Sequence, residues 1–484
     1  MADRGKKMKQ LIKKIWNPYE KKCLVKNKPM IILLAAALIW CILTMLYVDI
    51  PIIIQYGVSF WDSLFDGVQF NFYTNAIASG VNGSEGAVYE LGMYVIFGIW
   101  GLPVWILNKL TGLSVLSTPS IIWFKLLLCL FEVLTANLVY LIARKMNIRE
   151  STSQLIQILF FVTSYTFLPI YSAQQVDIIP LFFMMAGVYA FLEEDWKPFW
   201  MFFGISVITK PFAIFELFLL AVLKNENFKG LFKDFMIGFS PYIILKILCN
   251  VLDPGYSVNN GYNQKMLSVL FSATLSGGQA DISLFIILIS LVYILAWHYK
   301  NNKNHSGENV IQFSLLIWLA FTTFGTIYPY WEIYLAPFVV LAPFLWKQDI
   351  RRNLIVELVM ELCYTAALIL NYGWVYGGEE EYSSLLLKPL YQFVVQSGKQ
   401  PVQVKMGLEY LQINVLTIPG IYGVYAGCAV FFAFCALRYI YSADKYSAVI
   451  IGDKELQNHL KIRVILMWGW ILLTIAALLK EFVI

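Results

Sequence analysis

The apolar positions of this chain fall in long unbroken runs and do not alternate with polar ones. The first run is residues 29–48, which carries no charged side chain between Lys28 and Asp49. Continuous runs predict helices, since a half-buried strand would alternate with period two. Runs near the length that crosses about 30 Å of hydrocarbon predict membrane spans. Further spans are predicted near 120–143, 154–172, 178–193, 235–252, 283–297, 311–327, 332–346, 354–373, 416–438 and 464–479. Two runs break this rule. FWMFFGISVITKPFAIFELFLLAVL (199–223) is too short for two crossings and has lysines on both flanks, which predicts a re-entrant hairpin broken at Pro211. LGMYVIFGIWGLPVWILNKL (91–110) is apolar enough to span, but a crossing there would place Arg144, Lys145 and Arg149 on the wrong side. It is therefore expected to lie in the outer interface.

Composition agrees: 59% hydrophobic and 14% charged residues, with a mean hydropathy of +0.66, exclude a soluble globular surface. The expected fold class is an all-α polytopic membrane protein. The net charge of +5 matters less than where the cations lie. Ten of them precede the first run, so residues 1–28 read as a basic cytoplasmic segment, retained and not a cleaved signal peptide, and not a nucleic-acid tail. Segment 49–119 has no Lys or Arg before Lys109 and carries Asp49, Asp62, Asp66, Glu85 and Glu90, so it reads as external. The long loops at 253–280 and 375–414 fall on the same side, and the C-terminus is expected outside. No internal repeat of the kind found in duplicated transporters is seen.

The seven cysteines mostly sit inside apolar runs without paired spacing, which predicts neither disulfides nor a metal cluster. His298, His305 and His459 all fall on cytoplasmic segments, and no Walker, dinucleotide or HExxH motif is present. Catalysis on the outer face would then rest on carboxylates, lysines, tyrosines and asparagines. Ionisable residues inside a membrane are costly and are functional candidates by default. Lys125, Lys210 and Lys246 qualify, as an outer-leaflet group suited to a lipid-borne phosphate; the structural alternative is snorkelling, or pairing of Lys125 and Lys246 with Glu132 and Glu216. Asp49 and Asp177 stand at helix ends on the outer face. Asp62 and Asp66 read as the polar face of an interfacial helix, and GGEEEYSS (377–384) as a solvated loop. The aromatic segments GYSVNNGYNQKM (255–266) and GTIYPYWEIYLAP (325–337) suit either sugar faces or an interfacial belt, the belt being the commoner use.

Taken together and in order, YVDI after the first span, QQVDIIP opening a later one, the embedded Lys-Pro of GISVITKPF, and YPYWEIYLAPFVVLAPF resemble the GT-C superfamily of polyprenyl-phosphate-sugar-dependent glycosyltransferases, which includes the protein O-mannosyltransferases and the lipid A aminoarabinose transferase. The resemblance is best in the N-terminal half and generic beyond about residue 350. It implies a bundle of about 11–13 transmembrane helices with interfacial helices in the first outer loop. The implied organisation is a catalytic membrane module over 29–350 and a variable transmembrane region over 351–484. It also implies that Asp49 is the catalytic acid of an inverting sugar transfer, that Lys125, Lys210 and Lys246 bind the donor phosphate, and that Asp177 positions the acceptor or a divalent metal. Tyr328, Tyr330, Glu332 and Tyr334 are implied to contact substrate. Tyr328 stands where the family often has histidine, which puts a histidine–phosphate contact in doubt. No cofactor is assigned beyond the possible divalent metal. The implied partners are a polyprenyl-phosphate-linked sugar and a lipid, glycan or protein acceptor. A flippase of lipid-linked sugars, or a polysaccharide polymerase or ligase, are the alternatives. Lysine, asparagine and isoleucine usage suits a low-GC bacterium, hence a bacterial plasma membrane.

Overall fold

The computed structural model describes residues 2–19, 28–65, 71–277, 280–302, 307–325, 328–346, 350–372, 418–442 and 453–483. Asp66, His305, the 377–384 run and the loop expected at 375–414 lie outside them. The described chain is helical apart from one small antiparallel hairpin, β1 (Thr274–Gly277) with β2 (Ala280–Ser283). Six helices are long and apolar enough to cross a membrane, and two further bent pairs pass the same test together. It is an integral membrane protein of the all-α class. Helix α12 (Phe228–Leu252) shows this in its surface, since Ile237, Ile244, Ile247, Leu248 and Val251 are exposed on a helix that satisfies its own backbone.

The basic N-terminal helix α1 (Ala2–Trp16) docks by its apolar side, burying Leu11 and Ile15. Helix α2 (Lys28–Thr44) is apolar all round and ends before a 70° bend into α3 (Asp49–Phe65). The corner has a specific cause. Lys125, buried in another helix, donates from Nζ to the carbonyls of Ile42 (2.8 Å) and Met45, so an ammonium sits on the orphan C-terminal carbonyls of α2. This is neither snorkelling nor a pair with Glu132. Glu132 instead accepts from Tyr171, and Glu216 accepts from Ser314 and Trp318.

After α4 (Phe72–Ala78) comes α5 (Leu91–Thr111), which runs parallel to α3. Tyr56 meets Tyr94 and, further on, Asp62 accepts from Trp105 Nε1 at 2.8 Å and pairs with Lys109 at 2.9 Å. Glycine allows the close approach: a Cβ at Gly57 would lie 2.9 Å from that of Phe97. The run at 91–110, expected to lie in the interface, packs along α3 and by length and composition is one of the six helices apolar enough to cross a membrane. It meets α6 (Thr118–Lys145) through Trp100 and Trp123, which stack at 4.5 Å and exchange N–H to carbonyl bonds.

Helix α7 (Glu150–Val162) bends by 54° into α8 (Ser164–Phe167) and a π-turn at Leu168–Ser172. Then follow α9 (Ile178–Leu192), α10 (Trp196–Thr209) and α11 (Ala213–Lys224). The break between α10 and α11 falls at Lys210, whose backbone is extended, and Pro211, which cannot donate to a continuing helix. Next come α12, α13 (Tyr256–Leu270), α14 (Leu284–Asn302) and α15 (Gly307–Phe324). A 3₁₀ turn at Pro329–Tyr334 leads into α16 (Ala336–Leu345), followed by α17 (Ile350–Asn371), α18 (Ile418–Tyr441) and α19 (Asp453–Val483).

The C-terminal helices are tied back to the first ones. Trp468 on α19 donates to Leu33 O of α2 at 3.1 Å. Arg463 is buried between Glu357 and Glu361 of α17, one helical turn apart, and Glu361 also accepts the backbone N–H of Ser164 at the α7–α8 bend. A buried cation needs such paired and hydrogen-bonded company.

Candidate active site

Two turns build the site. The α2–α3 corner delivers Asp49 as the first residue of α3. The turn 173–177, between the π-turn and α9, delivers Gln175 and Asp177. Gln174 holds this second turn in a left-handed conformation (φ 48°), and its side-chain oxygen accepts from Tyr47 N at 3.3 Å, which binds the two turns together. Across this junction Gln175 Nε2 donates to Asp49 Oδ2 at 2.7 Å and to Ala173 O at 3.2 Å.

Asp177 and Asp49 differ sharply. Asp177 is fully buried. Its Oδ1 accepts from Lys210 Nζ at 2.5 Å and from Tyr334 OH at 3.3 Å. The Lys210 ammonium is also surrounded by ring faces, 4.9 Å from Trp331, 5.3 Å from Phe212 and 5.8 Å from Tyr89. Asp49 is only half-buried and has a neutral amide as its partner. Burial raises its carboxyl above the usual value, while the Gln175 hydrogen bond and the Lys210 charge pull it back down.

Asp49 lines a cavity of about 250 Å³ with Tyr47, Glu85, Tyr89, Tyr262, Tyr328 and Tyr330 among its walls. A tighter one of about 70 Å³ is lined by Lys210, Glu90, Tyr242, Asn263 and Trp331. The two share Val88, Tyr89, Tyr262 and Tyr330, so one tyrosine-walled partition separates the acid from the cation.

Lys246 belongs to the second cavity's wall through Glu90. Its Nζ lies 3.1 Å from Glu90 Oε1 and 2.8 Å from Asn260 Oδ1. Glu90 is buried and also accepts from Tyr256 OH (2.5 Å), Asn263 Nδ2 (3.0 Å) and Tyr242 OH (3.3 Å). A buried carboxylate with this many donors is a built hub joining the first long loop to α12 and α13.

The structure therefore brings together Asp49, Asp177, Lys210, Tyr328 and Tyr330, with Lys246 one residue removed through Glu90. Tyr328 and Tyr330 stack at 5.8 Å on the cavity wall. Tyr334 and Glu332 lie behind that wall: Tyr334 stacks on Trp318 and holds Asp177, and Glu332 is fully buried. Lys125 lines neither cavity and sits at the corner that aims Asp49. Sequence reasoning missed Gln175, Tyr89, Glu90 and Tyr262 as site residues. Gln175 stood inside the quoted QQVD and Tyr262 inside the quoted aromatic segment, but no local signal paired them with Asp49. Among the described residues no group of three or more His, Cys, Asp or Glu side chains converges as a metal site. The Lys210 ammonium holds Asp177 Oδ1, and Asp177 Oδ2 is buried without a hydrogen-bond partner among the described residues.

No protein-family model matches the chain, and no curated protein sequence matches it. A search of solved structures finds similarity to the crystal structure of ArnT from Cupriavidus metallidurans bound to undecaprenyl phosphate. The identity is 12%, over 86% of this chain and 78% of that one, with a TM-score of 0.38.

Proposed function

We propose that the protein is a membrane glycosyltransferase that moves a sugar from a polyprenyl-phosphate donor to an acceptor outside the cytoplasm, with inversion and with Asp49 as general base. The observation that carries this reading is the placement of a half-exposed carboxylate, held by a neutral amide, beside a cavity whose far partition backs onto a buried ammonium. An attacking hydroxyl needs a base within hydrogen-bond reach on one side of the sugar carbon, and the departing phosphate needs positive charge on the other. In this scheme the acceptor oxygen bonds to the anomeric carbon, its proton passes to Asp49, and the carbon–oxygen bond to the phosphate breaks.

Lys210 serves the phosphate. Asp177 fixes one of the three ammonium donors, which leaves the others for a ligand and keeps the empty pocket near neutral. Tyr89, Trp331 and Phe212 exclude water around it, which strengthens the ion–phosphate attraction. Lys246, anchored on Glu90, adds a second positive charge behind that wall. Lys125 contributes through the corner and not by touching the phosphate.

Incubation of purified protein, in a bilayer without a gradient, with a labelled polyprenyl-phosphate sugar and candidate glycan, lipid and peptide acceptors tests the class. Release of carrier phosphate by the wild type, and about 10³-fold slower release by Asp49→Asn, is expected. Movement of intact donor lipid across a bilayer without release would assign a flippase instead.

A further inference from the structure

The largest of the cavities described here, about 370 Å³, lies away from Asp49 and Lys210, between the end of α15, the end of α17 and the start of α18. Among the described residues none of its lining side chains is charged. Its polar equipment is Thr322, Thr323, Tyr364, Asn371, Tyr372 and Tyr422. The wall is built and not incidental. Tyr422 OH donates to the carbonyls of Thr322 and Thr323 at 3.0 Å each, and Tyr425 OH donates to Thr322 Oγ1 at 2.7 Å. Tyr364 packs on Tyr425 at 4.5 Å and on Tyr422 at 6.3 Å. These contacts hold the aromatic faces in fixed positions.

The chemistry selects a ligand class. Against the described lining, which has neither cation nor anion, a phosphate, a carboxylate or an ammonium would be desolvated without compensation. An acyl chain has no use for an amide, two threonines and the polar backbone of three helix ends. Flat aromatic faces beside hydroxyl and amide groups suit a neutral saccharide, which offers apolar ring faces and many hydroxyls. The volume lies within the roughly 300–1,000 Å³ of small-molecule sites.

Position gives the role. Gly325 lines this cavity and Tyr328 lines the Asp49 cavity, so three peptide units, at most about 11 Å of chain, separate the walls. We propose that this cavity is an acceptor subsite for a neutral saccharide, holding the sugar units next to the one whose hydroxyl reacts at Asp49. The proposal rests on the transferase reading and names its acceptor as a glycan.

The test uses the full-length protein in nanodiscs. Neutral trisaccharides of gluco, manno and galacto configuration, with trigalacturonate as an anionic control, are titrated by saturation-transfer NMR. At least one neutral trisaccharide is expected to bind, trigalacturonate not to bind, and Asn371→Ala or Tyr372→Ala to weaken binding tenfold or more. Asn371 is exposed and Tyr372 partly so, at the end of α17, and unchanged melting temperatures would show that both variants fold. Asp49→Asn should leave trisaccharide binding intact. Carrier-phosphate release in the same preparations separates the two claims. Binding with these sensitivities but no release in any condition keeps the subsite and removes the transferase. Release without binding of any neutral trisaccharide, binding of trigalacturonate equal to that of the neutral sugars, or binding indifferent to Asn371→Ala and Tyr372→Ala overturns the subsite.

Discussion

The two cavities on either side of the Tyr89–Tyr330 partition are made of the same residue types but balanced in opposite ways. On one side a carboxylate, Asp49, faces an open space with only Gln175 to hold it. On the other, Lys210 lines a tight aromatic cavity with Asp177 as its buried partner, and Lys246 stands behind that wall on its own buried partner, Glu90. An acid left with a neutral partner keeps its basicity for a proton. A cation with a fixed partner keeps its place and charge for a ligand. In the proposed transferase, proton transfer belongs to the first cavity and phosphate binding to the second.

That contrast is open to attack from its strongest element downward. Asp49→Asn keeps the shape and removes the basicity. Transfer should fall by about 10³-fold, within the range that general-base removal costs, while donor binding measured by a direct assay stays within about twofold. A matching loss of donor affinity would move Asp49 into the binding side. Lys210→Met should weaken donor binding by about 10²-fold or more. It also strands Asp177, which costs roughly 3–5 kcal/mol when a buried pair is broken. The double variant Lys210→Met with Asp177→Leu removes the stranded charge, so thermal stability should recover while donor affinity does not. Recovery of both would reduce the pair to a structural role.

Gln175→Ala tests the neutral partner. The Gln175 hydrogen bond favours the ionised form of Asp49, so its loss should raise the carboxyl further. Because the base is active when deprotonated, activity falls as pH drops through its pKa. The acid limb of kcat should therefore move to higher pH. A limb that stays in place would show that Asp49 does not set it. Lys246→Met should have the smallest effect, about three- to tenfold on donor affinity. Glu90 keeps Tyr256, Asn263 and Tyr242, and no charge on the Asp49 side is disturbed. A kcat defect at saturating donor would contradict the division between the cavities.

Much of this was legible in the chain because it depends on local pattern. A charge-free run followed at once by Asp49 marks a helix end, and Lys210-Pro211 in an apolar run marks a broken hairpin. Both are features of adjacent residues. Partnerships were not legible. Lys125 reaches carbonyls more than 80 positions away in sequence, at Ile42, and Glu90 gathers donors from α12 and α13. The aromatic segments were read mostly as an interfacial belt because tyrosine serves membrane surface and sugar pocket equally well. Only packing shows Tyr262, Tyr328 and Tyr330 walling one cavity. Glu332 shows the reverse limit, since a motif position expected at the substrate lies buried behind Tyr330.

The anomeric configuration of the transferred sugar tests the role of Asp49 most directly. A base that activates the acceptor for a single displacement gives inversion, whereas a carboxylate that first bonds to the sugar carbon gives retention. With a labelled polyprenyl-phosphate sugar of known configuration, the product linkage read by NMR should be inverted. A retained linkage, or a sugar–Asp49 adduct trapped by mass spectrometry, would contradict the assignment of Asp49 as general base.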